Sequence, residues 1–253
     1  MLCPERLMRK LPLAATVGSM AVSAASHAGV TSTWTLASDY DLRGITQSAH
    51  EPAVQASLDY AHDSGWSIGA WASNVDFCAS GNEACLDTAY ELDLYTGFSG
   101  KIGKHGLGGD VGLIYYSYEN SDYNYSEIYA GLSQGWFKTR LWYSNDFAGA
   151  TTAGKTPAYY IEANATLPLR AKFSALAHVA YSGGDYWREL HRAGAGREYM
   201  NYSVGVGYTA GKFELALRWI DGSDLKELNR TPQDVLSSEA RAVFTVATTF
   251  PWR

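Results

Sequence analysis

The sequence predicts an all-β protein, a closed antiparallel transmembrane β-barrel of about twelve strands with short periplasmic turns and long extracellular loops. Three observations predict it. Apolar and polar residues alternate with a period of two through most of the chain beyond residue 28. The connections between the alternating runs are long and short by turns. Aromatic side chains gather at the ends of the runs.

The first element is a leader, residues 1–28. Arg6, Arg9 and Lys10 form a positive start, 11–25 is apolar and small, and Ser26-His27-Ala28 closes it with the small-x-small pattern read by signal peptidase. This is the pattern of a cleaved signal peptide. The competing reading, a membrane anchor, asks for about 20 apolar residues, more than this run supplies. The expected mature chain, 29–253, is a single barrel domain in the outer membrane of a Gram-negative cell, with outer-membrane lipid and lipopolysaccharide around it and the barrel-assembly machinery as its folding partner.

The whole chain carries 20 Lys+Arg against 26 Asp+Glu, a net charge of −6, and losing the leader makes it more acidic. No cationic cluster stands ready for phosphates, so nucleic acid is excluded as a partner. There are 18 Tyr, 8 Trp and 25 Gly. Beyond the leader no apolar run is long enough for a spanning helix, whereas alternating strands hide their hydrophobicity from any average.

Strands place residues i, i+2 and i+4 on one face. Phe213, Leu215, Leu217 and Trp219 oppose Lys212, Glu214, Ala216, Arg218 and Ile220. Ala240, Ala242, Phe244, Val246, Thr248, Phe250 and Trp252 oppose Glu239, Arg241, Val243, Thr245, Ala247 and Thr249. The same alternation marks 90–98, 159–167 and 172–181, and further segments fall near 32–40, 51–60, 65–74, 107–117, 123–133, 137–144 and 199–208. Long connections near 41–50, 75–87, 118–122, 145–157, 182–198 and 221–238 alternate with short ones at 61–64, 134–136, 168–171 and 209–211, and with the Gly-rich, slightly longer 99–106 as the exception. That rim asymmetry, with an even strand count, belongs to outer-membrane barrels. Tyr40, Tyr60, Trp66, Phe98, Tyr143, Tyr208, Phe213 and Trp219 are among the aromatics at run ends. They read as interfacial girdles, or more plainly as good strand formers.

Cys78 and Cys85 bracket a polar stretch. In an oxidising compartment they predict a disulfide; as a metal site they would lack nearby histidine. No metal and no cofactor are expected, since the acidic loop residues show no calcium-loop spacing.

Several ordered blocks carry a family resemblance. Ala37-Ser38-Asp39-Tyr40-Asp41-Leu42-Arg43-Gly44-Ile45-Thr46-Gln47-Ser48, Ala70-Trp71-Ala72-Ser73-Asn74-Val75-Asp76-Phe77, Tyr90-Glu91-Leu92-Asp93-Leu94-Tyr95, Val111-Gly112-Leu113-Ile114-Tyr115-Tyr116 and Leu141-Trp142-Tyr143-Ser144-Asn145-Asp146-Phe147 resemble the TorF-type porin family, also designated Gcw_chp. The resemblance spans nearly all of the mature chain. It implies an outer-membrane location and a porin role, without a substrate. The ending Trp252-Arg253 departs from the terminal aromatic usual in outer-membrane proteins.

With the apolar parity toward lipid, the other parity fills the lumen. Asp39, Asp59, Glu91, Asp93 and Glu127 come from the first six strands. Lys138, Arg140, Lys172, Arg218 and Arg241 come from the later six, together with Glu162, Glu214, Glu239 and His178. These are the candidate pore-lining residues. One wall is acidic and the other mixed, which would set a transverse field across a pore for small polar solutes or ions. The alternative is a sealed structural or receptor barrel, its interior packed and ion-paired, acting in adhesion through loops 182–198 and 221–238. A lipid-modifying enzyme is the third reading. It would need a nucleophile, a base and an orienting group, and His178 is the one mid-strand histidine. No catalytic residue, phosphate loop or zinc spacing is assigned, and the sequence sets no oligomeric state.

Overall fold

Alternation of side chains is the rule that shapes the wall. Outward positions are Val54 and Leu58, Leu92 and Leu94, Val111 and Leu113, Val204 and Val206, or Leu217 and Trp219, all exposed. Their neighbours in sequence turn inward, so Glu91 and Asp93 are buried between exposed Tyr90, Leu92 and Leu94. Among the outward positions of the barrel strands only Asp221, near the long-loop end of its strand, is charged. A charge at the middle of such a face would cost about 2–4 kcal/mol in a bilayer.

A computed structural model describes residues 28–77, 88–104, 106–121, 123–149, 156–194, 196–223 and 236–251. The leader up to residue 27 and the cysteines Cys78 and Cys85 lie outside the described residues. The strands are β1 (Gly29–Ala37), β2 (Asp41–Leu42), β3 (Ile45–Thr46), β4 (Ala53–Ala61), β5 (Trp66–Asn74), β6 (Tyr90–Ile102), β7 (Leu107–Tyr118), β8 (Tyr125–Gln134), β9 (Phe137–Ser144), β10 (Ala158–Pro168), β11 (Phe173–Gly184), β12 (Tyr199–Ala210), β13 (Phe213–Gly222) and β14 (Arg241–Phe250). All but β2 and β3 form a closed antiparallel barrel, each strand paired with its neighbours in the chain. The ring closes between β1 and β14, where Thr33 faces Thr249 and their hydroxyls meet at 2.9 Å. Closure leaves no unpaired edge, which is the condition for a sheet to exist in lipid.

Short turns occupy one rim and long loops the other. Aromatics ring both: exposed Trp66, Phe98, Phe137, Phe173, Tyr208 and Phe213 at the short-turn rim, exposed Tyr90, Tyr115, Tyr143, Tyr159 and Tyr202 toward the long-loop rim.

Four expectations about position are corrected. The first strand stops at Ala37, so Asp39 and Tyr40 leave the wall, and Tyr40 is buried inside the barrel rather than in a girdle. Lys172 is exposed in a turn, because reversal after Pro168 uses left-handed residues at both Ala171 (φ 55°) and Lys172 (φ 68°). Glu239 is exposed before the last strand begins, since Ser237 spends its carbonyl on the Thr46 amide at 2.9 Å instead of on a neighbouring strand. The long connection 182–198 is part strand and part helix, α1 (Asp185–Arg192), with Asp185 in its first turn and His191 and Arg192 in its last, matching the helix dipole.

Candidate functional site: the barrel lumen

The loop between β1 and β4 decides the character of the lumen. Instead of projecting outward it folds into the barrel, ending in the small β2–β3 hairpin. Its two turn residues, Arg43 (φ 56°) and Gly44 (φ 86°), both take the left-handed conformation that a two-residue hairpin turn of this hand requires. Glycine does so freely. Arginine does so at a cost of about 1–2 kcal/mol, and what offsets that cost is its side chain. The guanidinium forks onto Glu127, with Nη1 to Oε1 at 3.0 Å and Nη2 to Oε2 at 2.6 Å. Its face lies 4.3 Å from the Tyr160 ring centroid. The Arg43 carbonyl accepts a bond from the Tyr199 hydroxyl at 3.0 Å.

A second clamp holds the hairpin's base. Arg241 donates through Nε to Asp39 and through Nη2 to Asp41 at 2.5 Å. Asp39 also accepts from the Thr46 hydroxyl at 2.5 Å and the Ser48 hydroxyl at 3.1 Å. Burial pushes the Asp41 carboxyl above its usual range, against the pull of Arg241 in the other direction. The Tyr40 phenol is likewise raised, first by burial and then by Glu91 and Asp93.

Around this plug the long-loop half of the lumen is tightly buried. Glu91 and Asp93 are 0 % exposed and Glu127 is 1 % exposed. Tyr116 donates to Glu127 at 3.0 Å and Tyr118 to Glu91 at 3.1 Å. Tyr116 stacks on Tyr125 at 4.5 Å, Tyr125 meets Phe147 at 4.8 Å, and Trp187 of α1 meets Tyr199 at 4.9 Å. Loop residue Phe147 also packs on Tyr186, 5.0 Å away, so two loops roof the same chamber. Buried carboxylates are tolerated only where paired or hydrogen-bonded; both oxygens of Asp93 make no hydrogen bond among the described residues.

Toward the short turns the packing loosens. Asp59, Lys138, Asn164, His178 and Glu214 are partly exposed on the inward parity. Arg140 donates through Nε to Asp110 at 2.7 Å and stacks 4.5 Å from the Tyr129 ring, while Lys138 reaches Asp110 at 3.5 Å. Glu162 accepts from Trp142 Nε1 at 2.8 Å and Asn164 Nδ2 at 2.9 Å. His178 sits among Asn164 (2.8 Å), Asn201 (3.0 Å) and Tyr160 (3.1 Å). Asp59 accepts from Tyr95 at 2.5 Å, and Glu214 from Thr209 at 2.9 Å. The β12–β14 wall is built from small residues, Gly205, Gly207, Ala216, Thr245 and Ala247.

The structure therefore brings Glu91, Asp93, Glu127 and, by way of the inward loop, Asp39 and Arg241 into the sealed half. It puts Asp59, Lys138, Arg140, Glu162, His178, Glu214 and Arg218 on the inward face nearer the middle and the short turns. Lys172 and Glu239 join neither set. Arg43, Asp110 and the tyrosines of β7 and β8 were not singled out by sequence. Asp110 shares its parity with Gly112, Ile114 and Tyr116, a signal that was there to use; Arg43 lies in a turn, where periodicity is silent. Among the described residues no three or more His, Cys, Asp or Glu side chains are grouped as for a metal ion.

A closed twelve-stranded barrel with a charge-free outer wall up to its rim and a charged interior is the architecture of porin-type membrane barrels. The chain belongs to a bacterial protein family of unknown function, Gcw_chp, whose model matches residues 21–250. That description assigns no activity, so it does not carry the TorF porin designation. No curated protein matches the sequence. Solved structures do match in fold. The NanC porin aligns with a TM-score of 0.54 at 8% identity, covering 88% of this chain and 100% of that one. The KdgM porin aligns at 0.52 and 7% identity, covering 88% and 99%. The KdgM porin in complex with disordered oligogalacturonate aligns at 0.50, also at 7% identity, covering 88% and 99%.

Proposed function

We propose that this protein is an outer-membrane porin-like channel for passive diffusion of small polar solutes or ions, exported with its leader removed before Gly29, and closed in the described state by its own β1–β4 loop. The observation that carries this reading is the inversion of polarity across the wall. Apart from Asp221 near the rim, the outward parity is free of charge, while the inward parity carries Asp59, Glu91, Asp93, Asp110, Glu127, Arg140, Glu162, Arg218 and Arg241. An interior whose only task was packing would bury apolar groups, because burying charge is unfavourable unless every group is paired. The porin folds it resembles add support of the same kind.

The loop acts as a removable stopper: its ionic anchors, Arg43 on Glu127 and Arg241 on Asp39 and Asp41, are few, and Tyr40, Leu42 and Ile45 add apolar packing. Conductance of the purified barrel in a planar bilayer tests the reading. Discrete open steps are expected, becoming larger or more frequent when 41–46 is shortened to a two-glycine link. Silence from both proteins, each folded and heat-modifiable, would reject the channel.

The tightly buried long-loop half favours a second reading, a sealed barrel acting through its loops. Under it the shortened variant would insert, lose stability and still not conduct.

A further inference from the structure

Of the arginines that point into the lumen, Arg43, Arg140 and Arg241 each close an ion pair with a carboxylate. Arg218 does not. It lies halfway along β13, only 7 % exposed, and among the described residues it makes no hydrogen bond and no ion pair. Its stem is admitted by Gly205 directly across in β12, where an added Cβ would stand 2.9 Å from Arg218 Cγ. Asp41 of the hairpin and His178 of β11 are near enough to feel its charge. Asp41 is already bound to Arg241, and His178 is held by Asn164, Asn201 and Tyr160. Neither is disposed to neutralise it.

A guanidinium presents five N–H donors in a rigid fork suited to planar oxyanions. With only 7 % of Arg218 exposed, its charge is held largely out of water without a partner, which is unfavourable. The residues directly across from it and two along its own strand are small or apolar: Gly205, Val243, Ala216 and Ile220. None of these four offers it a side-chain acceptor.

We propose that Arg218 anchors an anion-binding site in the lumen, taking the carboxylate or phosphate group of a small solute. The site rests on the channel reading above for its access and its use, and it narrows the solute class to anions. A solute held there occupies the middle of the path, between the sealed half and the looser half.

Calorimetric titration of the purified barrel in detergent with inorganic phosphate, and separately with acetate, at low ionic strength tests it without relying on conduction. At least one anion should bind saturably to the wild type, and the stronger of the two identifies the group the site prefers. Arg218→Met should weaken that binding by about ten- to a hundred-fold, as expected for loss of charge-assisted hydrogen bonds. Arg218→Lys should retain part of it. Heat-modifiable mobility certifies that each variant is folded; should the methionine variant fail to fold, the lysine variant decides, by weaker binding than the wild type. Absence of saturable binding in the wild type, or equal binding in the folded variants, overturns the site. Anion binding by a barrel that never conducts would keep the site and reject the channel; conduction without anion binding would do the reverse.

Discussion

The two halves of the lumen solve the same problem differently. Both line a closed wall with charge. Toward the long loops, Glu91, Asp93 and Glu127 have essentially no exposed surface, and the space is filled by a hairpin, tyrosines and two loops. Toward the short turns, Asp59, Lys138, Asn164, His178 and Glu214 keep part of their surface, and the β12–β14 wall offers glycine and alanine instead of rings. Strand geometry is the same in both. What differs is the connections: the loop after β1 turns inward and two others fold over it, while the turns at the other rim are too short to do so. Strand number sets the width of a small barrel, but what the loops place inside it sets the free bore.

If the sealed half depends on the hairpin, Arg43→Met should have the largest effect. It leaves Glu127 buried without its cation, a loss of about 3–5 kcal/mol for a broken buried pair. The variant should denature at lower urea, and its conductance should rise as the hairpin leaves. An Arg43→Met barrel as stable and as closed as wild type would mean the aromatic roof, not the ion pair, holds the plug.

The matching change in the other half is expected to be milder. Arg140→Met unpairs Asp110, which retains some exposure and still has Lys138 at 3.5 Å. About 1–3 kcal/mol is expected in urea denaturation, with no gain in conductance. A rise in conductance equal to that of Arg43→Met would erase the distinction between the halves.

Gly44→Ala probes the turn itself. At φ 86° an alanine is strained, and its Cβ would stand 2.8 Å from Asn201 Cβ. Roughly 1–2 kcal/mol should be lost, and the thermal transition should fall accordingly. Retained stability would show that the hairpin is free to shift.

The smallest effect is expected outside both halves. Arg188 pairs with Asp185 and Glu198 on the surface of α1. Exposed pairs of this kind contribute little, so Arg188→Ala should leave denaturation unchanged.

The wall was legible from sequence because period two is a local property. Leu215, Leu217 and Trp219 had to share a face opposite Glu214, Ala216 and Arg218, and they do. Rim asymmetry followed from the order of long and short connections, and closure from the need to pair every backbone group in lipid; register did not follow from either. The plug was not legible. Asp39 and Arg241, 202 residues apart, were both assigned to the lumen, yet their pairing depends on a loop bending inward, and nothing in the local pattern of 41–50 separates an inward loop from an outward one. Lys172 and Glu239 failed for a related reason: alternation continues past the point where a turn or a hydrogen bond to the hairpin ends the strand. Helix α1 is too short for its periodicity to stand out.

The seam between β1 and β14 has a consequence in time. Thr33 and Thr249, 216 positions apart in the sequence, meet at the seam, so the ring cannot shut until the last strand has arrived. Until then ten neighbour pairings can form locally while two edges, one at each end of the sheet, stay open to any other strand that passes. Contacts of such separation form slowly, and open edges invite aggregation. The step that makes this molecule a barrel is therefore its last, and the growing sheet needs shelter for as long as that step takes.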